Sequence, residues 1–237
     1  MLNAVIDISH HNSKSLNFKL AKADGILGVI RKASQGTTGR DPIFRTNRKK
    51  VHDAGLMWGA YHFANGSDGM QQAVNFLDAV GDPRDVLMVL DLEPNPTRPS
   101  MNLIEAHAFV THAHEQTGRW PGLYSGHTIK ELLGSSMDPL LANCWLWLAQ
   151  YGPTAVVPPN WPTRTTWQYT DGAIAAIPSR STASAIATAI VSTVPRRVCA
   201  SSGTAADPSG RGALRAARRM LARAPNDLHL DPPAPAR

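Results

Sequence analysis

The sequence predicts an α/β barrel. Three observations lead there: seven short apolar runs that read as strands, amphipathic segments between several of them, and near-continuous hydrophobicity within the runs, as in a parallel sheet buried on both faces. At 237 residues the chain is long enough for one large core, and single-domain α/β barrels commonly reach this size. A doubly wound open sheet is the alternative. It normally carries a Gly-rich turn after its first strand, whereas the first run here ends in ISHHN.

Taken in order, the strand-like runs are AVIDIS (4–9), GILGVIRKAS (25–34), LMWGAYHFA (56–64), VLMVLDLE (86–93), PGLYSG (121–126), CWLWLAQYG (144–152) and TTWQYTDG (165–172). Segments 41–55, 69–80 and 101–118 place apolar residues at helical spacing between them. In the last, Leu103, Ala106, Phe109, Val110 and Ala113 form one stripe, and Gly118 supplies the stop. The character changes after Tyr169. No Phe, Trp or Tyr follows it, no lysine follows Lys130, and Ala, Arg, Ser, Thr and Pro dominate. The boundary is set at 1–178 for the main domain and 179–237 for an atypical, poorly ordered tail, within which 210–224 suits a basic amphipathic helix.

Composition narrows the function classes. With 43% hydrophobic and 18% charged residues the chain is ordinary for a soluble globular protein. No run approaches the roughly 18 apolar residues that cross a bilayer, so no membrane insertion is expected. The opening MLNAVIDISHHN lacks the order of a signal peptide. Of the net charge of +6, five lie in residues 196–237, where eight arginines meet three aspartates. The body is nearly neutral, so no nucleic-acid partner is expected, although the tail suits an anionic polymer such as bacterial cell wall. Cys144 and Cys199 are too few for a disulfide framework and lack metal-ligand spacing. A monomer without cofactor or metal is the default.

The run 86–93 ends with Asp91 and Glu93, two residues apart and therefore on one face of a strand. In a barrel, polar residues at the C-terminal ends of strands stand at the mouth, where active sites lie. Asp7 occupies the same place on the first strand, and barrel closure brings it near the pair. Three carboxylates in one concavity share protons, which raises at least one pKa toward that of a general acid. Two other readings stay open. The pair can cap the next helix, or Asp7, Asp91 and Glu93 can hold a divalent metal, with His62 contributing.

Aromatic residues accompany the acids. Tyr61 and Phe63, Trp145 and Trp147, and Trp167 and Tyr169 alternate along their strands, and Tyr124 ends another. Most such residues are core, but several at the mouth would give flat walls for sugar rings. Tyr61, Tyr124 and Trp147 are the candidates, with Gln150, Gln168 and Ser125 as hydrogen-bond partners. Lys32 either contacts substrate or neutralises a carboxylate. His10 and His11, with Ser9 and Asn12, are expected to shape the first loop. YSGH, around Ser125, lacks the first glycine and the acid of a serine-hydrolase elbow.

The ordered set VIDISHHN, GVIRKASQG, WGAYHFA, VLDLEPN, GLYSG, WLAQY and TTWQYTDG resembles the Chalaropsis-type lysozymes, glycoside hydrolase family 25, which include phage endolysins. The resemblance covers about residues 1 to 172 and implies a TIM-like irregular (β/α)5β3 barrel. It also implies cleavage of the β-1,4 bond between N-acetylmuramic acid and N-acetylglucosamine in bacterial peptidoglycan. Glu93 matches the family's proton donor, Asp91 its carboxylate partner, Asp7 the first-strand acid, and Tyr61 the aromatic beside them. Action on the wall after release by a separate phage-type partner is a further implication.

Two departures stand out. The family's Thr-Glu-Gly after the second strand is Ser34-Gln35-Gly36 here, and the last strand, which normally bears an Asp and a Phe, is missing or altered. Codons for residues 183–195 overlap a second frame that, with suitable third bases, spells VGDCDRDRFNGA. A frameshift near residues 173–182 is the hypothesis, with the missing acid falling around Ile186 to Thr188. A catalytically impaired peptidoglycan-binding protein is the alternative function.

Overall fold

The computed structural model describes residues 4–10, 16–170 and 188–191. The first run forms strand β1 (Ala4–Ile8), and a short helix α1 (Phe18–Ala23), capped by the Asn17 side chain, leads into β2 (Ile26–Gln35). A two-residue strand β3 (Gly39–Arg40) folds back antiparallel on the end of β2. Then follow α2 (Phe44–Asp53), β4 (Met57–Phe63), α3 (Gly69–Val80), β5 (Leu87–Asp91), α4 (Leu103–Thr117), β6 (Gly122–Ser125), α5 (His127–Leu133), β7 (Trp145–Ala149), β8 (Thr166–Thr170) and β9 (Thr188–Val191). Five strands are followed by helices, β2 by way of the β3 hairpin, and the described link between β7 and β8 contains no helix.

The sheet runs β1-β9-β8-β7-β6-β5-β4-β2, all parallel, and a pairing between β1 and β2 joins its ends. This is the predicted barrel, with the β3 hairpin added at its rim. β9 corrects one part of the expectation. The last strand is not missing: Thr188–Val191 pairs in parallel with both β8 and β1, although its sequence carries neither the Asp nor the Phe. The other expectations for residues 171–187 and 192–237, including the second reading frame's replaced segment, the tail, its basic helix and Cys199, lie outside the described residues, as do His11 and Asn12.

Alternation along the strands sorts side chains into two cores. Met88, Leu90 and Leu92 point outward into the large layer between sheet and helices, with Phe76, Phe109 and Val110. Leu87 and Val89 point into the barrel, where Val5, Ile30 and Trp147 fill the interior and Tyr61, Tyr124 and Trp145 pack against them. Residues 91 and 93 continue the inward series. α4 behaves as its pattern predicts, with Asn102 as N-cap and Gly118 in the left-handed region (φ 69°) ending it.

Candidate active site

The inward parity of β5 carries Asp91 and Glu93 to the C-terminal mouth of the barrel. There they line one cleft with Asp7, Tyr61, Tyr124 and Trp147. Each comes from a different place in the ring: Asp7 from β1, Tyr61 from β4, the pair from β5 and the residues after it, Tyr124 from β6, and Trp147 from β7. Register explains the convergence, since Asp91 lies beside Tyr124 on one flank and Phe63 on the other. The floor is the interior core of Val5, Ile30 and Val89.

Asp91 is buried, and among the described residues its Oδ1 accepts no hydrogen bond. Burial pushes its carboxyl well above the usual range, the negative charges of Glu93 and Asp7 add to the rise, and Lys32 opposes it. Glu93, half-exposed at the open end, is also raised by burial and held down by Lys32. Both acids therefore hold a proton more tightly than isolated carboxylates do. Burial, and then the charges of Asp91 and its neighbours, also push the Tyr61 and Tyr124 hydroxyls well above their ordinary value, so both stay protonated and able to donate.

Gln168, on β8, spans the mouth. It accepts a hydrogen bond from the Tyr124 hydroxyl and donates through Nε2 to Asp7 Oδ1 at 3.4 Å. Lys32 enters from β2. Its Nζ donates to Gln35 Oε1 at 2.6 Å and sits 4.7 Å from the centre of the Phe63 ring, while its charge acts on Asp91 and Glu93. The eight residues named from the sequence are therefore around one mouth.

Several companions fall elsewhere. Trp167 and Tyr169 are buried in the outer core, where the Trp167 indole donates to the Gln150 carbonyl, so they offer no surface to a sugar. Ser125 is fully buried and donates to the Leu92 carbonyl, fixing the strand that carries the acids. Gln150 accepts from Lys130 Nζ at 2.9 Å at the barrel rim. His62 points away from the acids into the outer layer. It bonds Ser34 through Nδ1 (2.8 Å) and Gln72 through Nε2 (3.1 Å), which removes it from any metal set with the three carboxylates. Capping by Asp91 or Glu93 is also absent from α4, since Asn102 fills that place.

Sequence reasoning missed the buried network behind Lys32. The Gln72 side chain accepts from the Asn65 N–H and donates to the Asn65 and Ser67 carbonyls, so its Oε1 can only accept from His62 Nε2–H. Ser34 then donates to Nδ1, and neutral His62 locks the ends of β2 and β4 together. The sequence shows Ser34 and His62 within two apolar strand runs and Gln72 on the following amphipathic helix, with nothing in the residue order to link them.

The sequence profile of glycosyl hydrolases family 25 matches residues 6–176, a span that contains Asp7, Tyr61, Asp91, Glu93, Tyr124, Trp147 and Gln168. The chain belongs to glycosyl hydrolases family 25. Among its relatives in the family, Lysozyme M1 of Streptomyces globisporus is 32% identical over 178 residues, which is 69% of this chain and 60% of that protein. The chain thus spans less than two thirds of that relative's length. Among solved family structures, a GH25 lysozyme from Aspergillus fumigatus is 35% identical, with a TM-score of 0.62 over 70% of this chain and 86% of that one. The bacterial lysozyme from Streptomyces coelicolor is 30% identical, with a TM-score of 0.64 over 70% and 82% of the two chains.

Proposed function

We propose that this chain is a muramidase that hydrolyses the β-1,4 bond between N-acetylmuramic acid and N-acetylglucosamine in bacterial peptidoglycan. The observation that carries the reading is the convergence of Asp7, Asp91 and Glu93 with Tyr61 in one cleft, where burial raises the proton affinity of both Asp91 and Glu93. Family membership and its lysozyme relatives support the same substrate class.

In this mechanism the proton held by the pair is delivered from Glu93, the member at the open end, to the glycosidic oxygen as the bond breaks. Delivery leaves negative charge on the pair, and Asp91 stabilises the positive charge that develops at the anomeric carbon. Asp7, oriented by Gln168, keeps the two acids from ionising together. Tyr61, Tyr124 and Trp147 wall the sugar, and Lys32 limits how far the acids' affinity for protons rises. The anomer formed first, read by NMR, separates activation of water by Asp91, which inverts, from attack by Asp91 or by the 2-acetamido group, which both retain. The proposal extends to a monomer acting at the bacterial wall through a catalytic domain over residues 1–178, without nucleic-acid partner, metal or cofactor.

One feature favours the second reading, a wall-binding protein without turnover: β9 lacks the acid expected on the last strand. Purified cell walls separate the two. Falling turbidity with release of soluble muropeptides supports the enzyme, and co-sedimentation without release supports binding alone. Glu93→Gln should lower turnover by roughly 100-fold or more, as loss of a general acid does, with wall binding retained. Undiminished clearing by that variant would remove Glu93 from the role.

A further inference from the structure

Beside the acids lies a second, larger cavity of about 440 Å³. It is bounded by the β2–β3 turn, by residues 65–67 after β4, by His10 after β1 and by Arg98 in the segment before α4, all at the end of the barrel that carries the acids. Lys32 forms part of its wall while its charge acts on Asp91 and Glu93, so the cavity adjoins the cleavage site. Gly36 shapes its floor. That residue has φ of 55°, and a Cβ there would stand 2.6 Å from the Asn65 side-chain nitrogen, so a larger residue would displace the wall.

The lining contains no Phe, Tyr or Trp, so the cavity lacks the flat apolar surface on which a sugar ring stacks. Its chemistry is hydroxyls, amides and excess positive charge. Asp41, the acid in the lining, turns its side chain to Arg31 in a buried pair at 3.0 Å. Arg40 is held by Asn75 and Asp78. Arg98 forms no ion pair among the described residues. Its backbone is nevertheless fixed, because its N–H donates to Asn95 Oδ1 at 3.0 Å and Asn95 in turn donates to the Ala64 carbonyl.

We propose that this cavity binds a carboxylate of the peptide attached to the glycan, with Arg98 as its anchoring cation, so that cleavage favours peptide-bearing strands. The inference rests on the muramidase reading for its substrate. In the peptide-bearing glycan the lactyl carboxyl of the muramic acid is tied up as an amide, so the negative charge lies on the carboxylates of the attached peptide, beside the scissile bond. A polar, cationic recess one strand from the acids matches that substituent and not a further sugar.

The test compares Arg98→Gln with the parent chain on two substrates: intact peptidoglycan, and the same glycan after an amidase has removed the peptides and the lactyl carboxyls thereby freed have been capped as methylamides. Loss of a charge-assisted contact at an exposed site should lower kcat/KM on the peptide-bearing glycan by roughly three- to tenfold. The ratio of the two rates should fall by the same factor, and Arg98→Lys should recover part of it. Equal loss on both substrates, or no loss on either, overturns the proposal. Binding of a soluble disaccharide-tetrapeptide to Glu93→Gln chains, with and without Arg98→Gln, gives a readout independent of turnover. If the parent chain cleaves neither substrate, the muramidase reading fails, and unchanged binding in the Arg98 variant sinks the subsite separately.

Discussion

Lys32 Nζ donates to Oε1 of Gln35 at 2.6 Å, and the bond leaves the lysine's charge unneutralised. That charge opposes the rise in both Asp91 and Glu93. Replacing Gln35 by Glu puts an anion against Lys32, weakens its pull on the carboxylates, and raises the affinity of the pair for its proton. The limb of the pH–rate profile at which the general acid deprotonates should therefore move to higher pH, by roughly half to one unit for a charge partly screened at the mouth. Profiles of kcat/KM on cell walls check this. A shift to lower pH, or none, would show that Lys32 does not set the acids.

Much of this site could be read from residue order because a strand has a period of two. Once VLMVLDLE is a strand with Leu87 and Val89 inward, Asp91 and Glu93 must share the barrel interior, and Asp7 and Tyr61 follow by the same counting. Alternation alone does not tell mouth from outer layer for aromatic residues; Trp167 and Tyr169 are core, as most such residues are expected to be. α1, β3 and α5 were not anticipated. Each is short and takes its stability from packing against neighbours, and not from a long periodic pattern. The Ser34–His62–Gln72 network joins residues far apart in the chain, and only the register of β2 on β4 brings them together.

Asp91 should destabilise the fold at neutral pH. Its folded pKa is raised well above the ordinary 3.8, so below that value the folded and unfolded chains are equally protonated and no penalty applies. As pH climbs from 3.8 to the raised value, the unfolded chain gives up its proton first while the folded chain holds it on a buried oxygen, and stability falls until both are ionised. Asp91→Asn removes that term. The variant should melt roughly 2–4 °C higher than the parent at pH 7 for each kcal/mol relieved. The gain should vanish below about pH 4, where both chains carry a neutral group. Turnover should be lost at the same time. A variant that melts lower at pH 7 would show that the ionised carboxylate is satisfied in the fold.

His62 has the opposite dependence. Complete burial lowers its pKa from 6.5 to about 4, despite the hydrogen bond to Gln72 that favours the charged ring. Its contribution is intact above pH 6.5, where both states are neutral, and is lost as pH falls through the folded value, because the unfolded chain protonates first. The whole window is worth at most about 3 kcal/mol. In an Asp91→Asn, Glu93→Gln background, where the carboxylate term of opposite sign is gone, the urea-unfolding free energy should fall by up to that amount between pH 7 and pH 4. The imidazole resonances of His62 should titrate near pH 4 and show no step near 6.5. A step at the ordinary value would mean that the Ser34–His62–Gln72 link opens in solution.

β9 places Thr188–Val191 between β8 and β1, the strand that bears Asp7, at the point where the ring closes. Its residues bring no acid to that position, yet the second frame over residues 183–195 reads VGDCDRDRFNGA, with its acids around the same point in the chain. A parallel strand there needs only backbone pairing, which Thr-Ala-Ile-Val supplies, whereas a fourth carboxylate at the mouth needs the other frame. The encoding DNA across codons 169–200 should contain that frame open, with a single-base insertion or deletion upstream of residue 183. A chain rebuilt with the second-frame peptide should clear cell walls faster than the chain as written. General acid–base groups change rates by roughly 100- to 10,000-fold, so even partial engagement of the restored acid is measurable by turbidity. A closed second frame, or equal clearing by the two chains, would mean that Thr188–Val191 is the strand this protein was built with.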